Sequence, residues 1–414
     1  MTSSPAVATA RTDAAAPAAG RAVPPFDGLL LAAVLGLVAV GLVMVYSASA
    51  VQASQSRRLG YDEFYYLKRQ LLAAGIGVAL LAAALKLGLQ RVAALAGPLL
   101  LACFALLLLV PFAGKAAGGA QRWLQLGPLQ FQPAEAAKVA LVLWLARSLS
   151  RKQQKIRLVS IGLLPHLLVT GALVALCLAQ KDLGTGVILF LVLLAMLFAA
   201  GAKVSWLVLA IGLSAPVAWH LVKSTPYRYA RVVAFLDPER YRSGAGFQLW
   251  ESLLGTANGG LLGQGLGQGK GKLFYLPAAH TDFIATVIAE EAGLVGVLLL
   301  LGLFVIVVWR GLRAALNASD PFGCYAALGV TALLGSQALV NLAVVFGLLP
   351  TKGLTLPFVS YGGSSLLTLL AAAGVLLAVS GERGGFLRRP PAAVRGARRE
   401  RADRDAARAM EEAP

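Results

Sequence analysis

The chain has 414 residues, of which 58% are hydrophobic and 14% charged, with a mean hydropathy of +0.74. A soluble domain carries roughly 25% charged residues, so a soluble globular protein is excluded, as are a disulfide scaffold, a disordered chain and a collagen-like one. The formal charge of +18 fits either a nucleic-acid footprint or membrane-orientation charge, and the placement of the charges decides between them.

Residues 1–26 are rich in Ala, Pro and Thr and read as a disordered segment. Beyond them, a charge at the bilayer centre costs about 2.5–3.5 kcal/mol on insertion scales, so long charge-free gaps locate membrane spans. Gaps at 28–56, 70–85 and 92–114 predict the first three helices. A fourth, 133–149, is interrupted near one end by Glu135 and Lys138 and starts at Pro133, a favourable first helical residue. Gaps at 158–180, 183–202, 204–222, 292–309, 321–351 and 353–381 complete the set. The expected fold is an all-α polytopic membrane protein with ten transmembrane helices, its membrane domain spanning 27–381. Residues 223–282 form a long extracytoplasmic loop between helices 7 and 8. One charge-free gap, 252–269, holds seven glycines and is expected to be loop, because helix there would expose polar backbone to lipid. The small-residue run Ser47–Ala50 resembles a signal-peptide cleavage site, but nine further spans follow it. Cys103, Cys177 and Cys324 lie in or beside apolar helices without metal spacing and read as small core residues.

An even number of spans puts both termini on one side. With that side cytoplasmic, 21 of the 37 basic residues fall on inner segments, nine of them arginines of the tail 382–414. The positive-inside rule therefore selects N-in, C-in. The tail interleaves its arginines with Glu400, Asp403, Asp405, Glu411 and Glu412 and carries one aromatic, Phe386. It suits attraction to anionic lipid and shows no nucleic-acid recognition module, so no nucleic-acid partner is expected.

Ionisable residues at membrane depth are functional candidates because each is costly to keep there. Glu135 and Lys138, three apart on one helical face, form either a structural ion pair or a site in which Lys138 meets an anionic ligand. Asp182, in the short turn between helices 5 and 6, is a helix cap, a site carboxylate, or both. The segment 223–282 carries Tyr227-Arg228-Tyr229-Ala230-Arg231 and ends at His280-Thr281-Asp282-Phe283, with Glu290 and Glu291 beyond. Its aromatic and basic residues suit a sugar-phosphate or lipid head group; the alternative is a solvated connector. Its glycines make no Walker loop, since Gly269-Lys270 is followed by Gly271. Asp282, poised between water and lipid, is either a base of raised pKa or a first-turn acid favoured by the helix dipole. Finally, Pro350–Pro357 leads into Ser360-Tyr361-Gly362-Gly363-Ser364-Ser365. Paired glycines and serines there imply either irregular backbone lining a cavity or close packing of small residues.

Five motifs in order carry a resemblance: Arg122-Trp123 with Phe131–Glu135 and Lys138; Asp182-Leu183-Gly184-Thr185; Phe274-Tyr275-Leu276-Pro277; His280–Ile284 with Glu290-Glu291; and Pro350–Ser365. Over about residues 27–380 the chain resembles the SEDS (shape, elongation, division and sporulation) proteins. The stretch from Pro350 to Pro357 is more similar to the division branch than to the elongation branch. The chain departs from the family pattern at Ala278, where many relatives carry Glu, and at Lys181, where many carry Pro.

The resemblance implies a peptidoglycan glycosyltransferase that polymerises lipid II on the outer face of the bacterial cytoplasmic membrane, at the division septum. Asp282 would be its essential carboxylate, acting as general base in an inverting transfer. Lys138, Arg228, Arg231 and Lys352 would meet the undecaprenyl pyrophosphate, with Glu135, Asp182, His280, Ser360 and Ser364 as further substrate contacts. A divalent cation (Mg or Mn) could share the charge, although the sequence shows no dedicated ligand cluster. The expected partners are lipid II and the lipid-linked glycan, a class B penicillin-binding protein and other division proteins. A lipid II flippase and a non-catalytic division scaffold are the competing readings.

Overall fold

The computed structural model of the chain describes residues 26–117, 120–126, 129–269 and 278–381. The segment before residue 26, the Lys270-Gly271-Lys272 and Phe274–Pro277 motifs and the Arg-rich tail lie outside them. The described helices are α1 (Gly28–Ser54), α2 (Tyr65–Leu87), α3 (Leu89–Ala113), α4 (Pro133–Arg151), α5 (Leu164–Ala179), α6 (Leu183–Ala199) and α7 (Val204–Lys223). After these come α8 (Pro226–Leu236), α9 (Phe247–Gly259), α10 (Ile284–Asn317), α11 (Pro321–Val345) and α12 (Gly363–Gly381).

Eight helices among the described residues are long and apolar enough to cross a membrane: α1, α2, α3, α5 with the π-turn Val159–Leu163 before it, α7, α10, α11 and α12. The apolar α6 has 17 residues, and α4 has 19. Helix α4 is buried on nearly all sides, packing on α3, α6, α11 and α12, and its Glu135 and Lys138 are buried inside the protein. Small residues draw α2 and α12 together: a side chain at Gly374 would strike the backbone of Leu81. Two ends of the bundle are distinct. At one, Asp27 caps α1, pairs with Arg310 near the end of α10 and donates its backbone N–H to Ser380 at the end of α12 (2.9 Å). Gln132, Asp182, His280, Asp282 and the Pro350–Ser365 segment meet at the other.

The helical fold expected from the sequence holds, but not every connection is bare loop: a three-stranded antiparallel sheet, β1 (Lys115–Ala117), β2 (Ala120–Leu126) and β3 (Leu129–Phe131), links α3 to α4. Its register sets Leu124 against Phe131 and Gln125 against Gln130. Nor is 223–282 a plain loop. Helix α8 starts at Pro226, whose missing N–H costs nothing in a first turn, and leaves Tyr227, Tyr229 and Leu236 exposed. Helix α9 takes up the first half of the glycine gap. Its glycines make room for a neighbour: a Cβ on Gly259 would lie 1.9 Å from the carbonyl oxygen of Ala289, and one on Gly255 2.9 Å from Thr286.

The rest of the glycine gap is indeed loop, and it repairs a break in α10. Gly293 has φ 64°, ψ −160°, which interrupts the helical hydrogen bonds at membrane depth. The backbone N–H groups of Gln264 and Gly265 donate to the carbonyls of Glu290 and Glu291 (both 3.0 Å), and those of Leu294 and Val295 to Gly260 and Leu261 (3.0 and 3.2 Å). Unpaired backbone in lipid is costly, and this loop supplies the partners. Glu291 also accepts from the Ser47 hydroxyl of α1 (2.7 and 2.8 Å) and from the Gly267 N–H (3.0 Å).

Replacing Gly259 by Val should therefore unseat α9 and destabilise the protein by about 1–3 kcal/mol, the usual cost of overpacking. Gly212→Ala in α7, where an added Cβ meets nothing within 4 Å, should be neutral. Melting of the detergent-solubilised variants checks both.

Candidate active site

The site is built around the non-helical segment between α11 and α12. In it Phe358 takes φ 65°, and side chains hold much of its backbone. Gln70 of α2 donates to the Ser360 carbonyl (3.1 Å) and accepts from Gly362 N–H (3.3 Å). The Ser360 hydroxyl donates to the Thr281 carbonyl (2.5 Å) and accepts from Leu356 N–H (2.8 Å). Gln337 of α11 donates to the Thr355 carbonyl (2.9 Å), and Asn341 to the carbonyls of Leu354 (2.6 Å) and Asp282 (2.9 Å). Of the serine-glycine motif, Ser360, Tyr361 and Gly362 are non-helical, whereas Gly363, Ser364 and Ser365 open α12.

Asp282 lies against this segment. The carbonyl of Ala278, itself at φ 61°, collects the N–H groups of Thr281, Asp282 and Phe283. That turn places Asp282 just ahead of α10, half-buried. A Cβ on Gly353 would sit 3.2 Å from Asp282 Oδ2, so a side chain there would require the carboxylate to give by a few tenths of an ångström. The carboxylate makes no hydrogen bond or ion pair among the described residues. Burial pushes its pKa up to about 6; nearby Arg231 and Arg122 act against the rise and Asp182 adds to it.

Two of the four nominated cations flank the site. Arg231 of α8 donates to the Thr351 carbonyl (3.2 Å) and to Gln248 (3.3 Å), stacked on Tyr227. Lys352 is half-buried without a partner among the described residues, and burial lowers its pKa. The other two point elsewhere. The Lys138 ammonium is fully buried between Glu135 Oε1 (2.9 Å) and Gln337 Oε1 (2.8 Å), the ion-pair alternative of the sequence reading. Arg228 turns back to the Leu221 carbonyl at the end of α7.

Asp182 caps α6 through Thr185 N–H (3.0 Å), and its second oxygen accepts from the Thr185 hydroxyl and Gln132. Ser364 bridges the Gln130 carbonyl and Gln132 N–H (both 3.0 Å), tying β3 to α12. His280 packs between Tyr66 and Tyr361, and burial lowers its pKa to about 4. At neutral pH it is an uncharged imidazole, able to hydrogen-bond but not to neutralise an anion.

The network also draws on residues that were not among the nominated site residues, Gln70, Arg122, Gln337 and Asn341. Arg122 of β2 grips the carbonyls of Gln180 (3.1 Å) and Lys181 (2.6 Å). Gln337 and Asn341 lie one turn apart on α11. Two amides four residues apart inside an apolar helix were the signal available for them.

The raised pKa of Asp282 fixes the sign of a stability effect. Its folded value of about 6 exceeds the ordinary 3.8, so the fold favours the neutral acid and carries an ionised carboxylate at a cost above pH 6. Asp282→Asn should melt at a higher temperature than the parent at pH 7–8. The gain should fade as pH falls through 6 and be gone below about 4, where both folded and unfolded chains are protonated.

The family described as cell cycle protein, covering FtsW, RodA and SpoVE, matches residues 28–384. Among similar proteins, the probable peptidoglycan glycosyltransferase FtsW of Geobacter metallireducens is 45% identical, the match covering 86% of this chain and 94% of that one. Stage V sporulation protein E of Bacillus subtilis is 42% identical, with 86% and 96% covered. Two solved folds are alike. A chain from a peptidoglycan synthase complex, described as showing structural coordination of polymerization and crosslinking, has TM-score 0.70 and 34% identity over 86% of this chain and 97% of that one. Rod shape determining protein RodA of Thermus thermophilus has TM-score 0.64 and 32% identity over 86% and 97%. Motif order, sequence and fold agree, and the chain belongs to the FtsW/RodA/SpoVE family of cell cycle proteins, the SEDS family that its motifs resemble.

Proposed function

We propose that the protein is a peptidoglycan glycosyltransferase that polymerises lipid II during division, with Asp282 as general base. The observation that carries this reading is a half-buried carboxylate of raised pKa, free of hydrogen bonds among the described residues, with Arg231 and Lys352 beside the same segment. The names of the relatives point the same way. Ten crossings in an N-in, C-in arrangement follow if α4 and α6 join the eight long apolar helices. At 1.5 Å per residue they measure roughly 28 and 26 Å, close to a bilayer's hydrocarbon core of about 30 Å. The bundle end bearing Asp282 is then the outer one.

In the reaction the ionised Asp282 takes the proton of the acceptor sugar's 4-hydroxyl as that oxygen attacks the donor's anomeric carbon. The bond to undecaprenyl pyrophosphate breaks and the leaving group departs with the electron pair. A single displacement inverts an α-linked donor to a β-1,4 bond and requires no covalent enzyme intermediate. Arg231 and Lys352 offset the charge that develops on the pyrophosphate. The described residues include no set of three His, Cys, Asp or Glu placed to hold a metal. Both oxygens of Asp182 are already engaged, so no step is routed through a divalent ion. A class B penicillin-binding protein is the proposed partner, a reading supported by the peptidoglycan synthase complex among the similar folds.

Purified protein with that partner and fluorescent lipid II tests the assignment. Asp282→Ala should lower polymer formation by at least about 10²-fold, the low end for a general base; normal polymer from this variant would end the enzymatic reading of Asp282. In the parent, kcat/KM should rise tenfold per pH unit below about pH 6 and level off above it, as the base ionises. Lys352→Met and Arg231→Met should each lower kcat/KM by roughly 10- to 100-fold, as expected for a lost hydrogen bond to a charged group, while keeping that acid limb.

A further inference from the structure

Resting on the reading of Asp282 as the base, we propose that Asn341 is a positioning residue that sets the carboxylate against the backbone of Gly353. The Asn341 side chain is 2% exposed, so it does not touch substrate. Its Nδ2 donates both hydrogens, one to the carbonyl of Asp282 (2.9 Å) and one to the carbonyl of Leu354 (2.6 Å). Leu354 follows Gly353, whose Cα faces Asp282 Oδ2. One amide on the rigid helix α11 therefore fixes the main chain that carries the base and the main chain that forms the wall beside it.

The chemistry explains why the residue is Asn. Both partners are carbonyls and only accept, so the position requires two hydrogens on one nitrogen. That choice leaves Asn341 Oδ1 buried with no partner among the described residues. An unsatisfied buried acceptor is unfavourable and is usually found where function keeps it. Gln337, one turn earlier, contrasts with it. Its Nε2 holds the Thr355 carbonyl and its Oε1 accepts from Lys138, so both ends are satisfied. Gln337 thus has a full structural explanation, whereas the geometry of Asn341 is accounted for by what it holds in place.

The test is lipid II polymerisation by the full-length protein with its partner, using Asn341→Leu and the isosteric Asn341→Asp, which lacks the two donors. Both should lose on the order of 10²-fold in kcat, the scale of a displacement of about 1 Å at a reacting centre. KM for lipid II should stay within about twofold, since no substrate contact is removed; both variants should fold with a lower melting midpoint than the parent, because two buried carbonyls lose their donor. Wild-type kcat in either variant would overturn the proposal. So would a rise in KM with kcat unchanged, or a loss of folding in both variants, which would make the residue a structural one. Asp282→Ala in the same assay separates the two claims. If it polymerises normally, the base assignment falls and this proposal with it. If it is inactive while Asn341→Leu runs at full rate, only the positioning proposal falls.

Discussion

The constraint on which the site depends is the hydrogen-bonding demand of a backbone that leaves the helix at membrane depth. Lipid offers no partners, so each freed N–H and C=O must find one inside the protein. This chain breaks helical structure twice near its candidate site, at Gly293 in α10 and between α11 and α12, and it meets the demand differently each time. The glycine loop 260–269 lends backbone to the first break. Side chains of Gln70, Gln337, Asn341 and Ser360 serve the second. The second solution has a chemical consequence, because side chains that satisfy a backbone also fix it, and here the fixed backbone borders a carboxylate.

Electrostatics and solvation then set opposing requirements at Asp282. A base must be ionised near neutral pH yet basic enough to take a proton, and partial burial provides that compromise where a full ion pair would remove it. The buried pair Glu135–Lys138 shows the alternative. There the charges neutralise each other and Gln337 takes a further ammonium hydrogen, so the pair braces helices instead of meeting a ligand. The Glu135–Lys138 pair is thus buried inside the bundle, whereas Arg231 and Lys352 lie beside the segment that borders Asp282.

Much of this was legible in the sequence because membrane burial of charge is so costly. The charge-free gaps located every long helix, and the residues left between them included Asp282, Asp182 and the Glu135–Lys138 pair. What escaped depended on partners. Helix α9 was read as loop because its glycines are poor helix formers in isolation, yet they fit against Ala289 and Thr286 of α10. The sheet at 115–131 consists of strands of three to seven residues whose alternation is too brief to stand out. Arg228 and Lys138 were nominated as cations facing substrate, but helix rotation is set by packing and turned one to Leu221 and the other to Gln337. Asn341 was overlooked because an amide in an apolar helix signals only that something is held, and not what.

The central claim is that Asp282 faces the acceptor hydroxyl while Arg231 and Lys352 face the pyrophosphate. A cryo-EM structure of Asp282→Asn with the partner and bound lipid II tests it most directly. The account predicts a sugar 4-hydroxyl within hydrogen-bonding distance of residue 282 and the pyrophosphate against Lys352 and Arg231. Lipid II bound with its pyrophosphate away from both cations, and no sugar near residue 282, would contradict it.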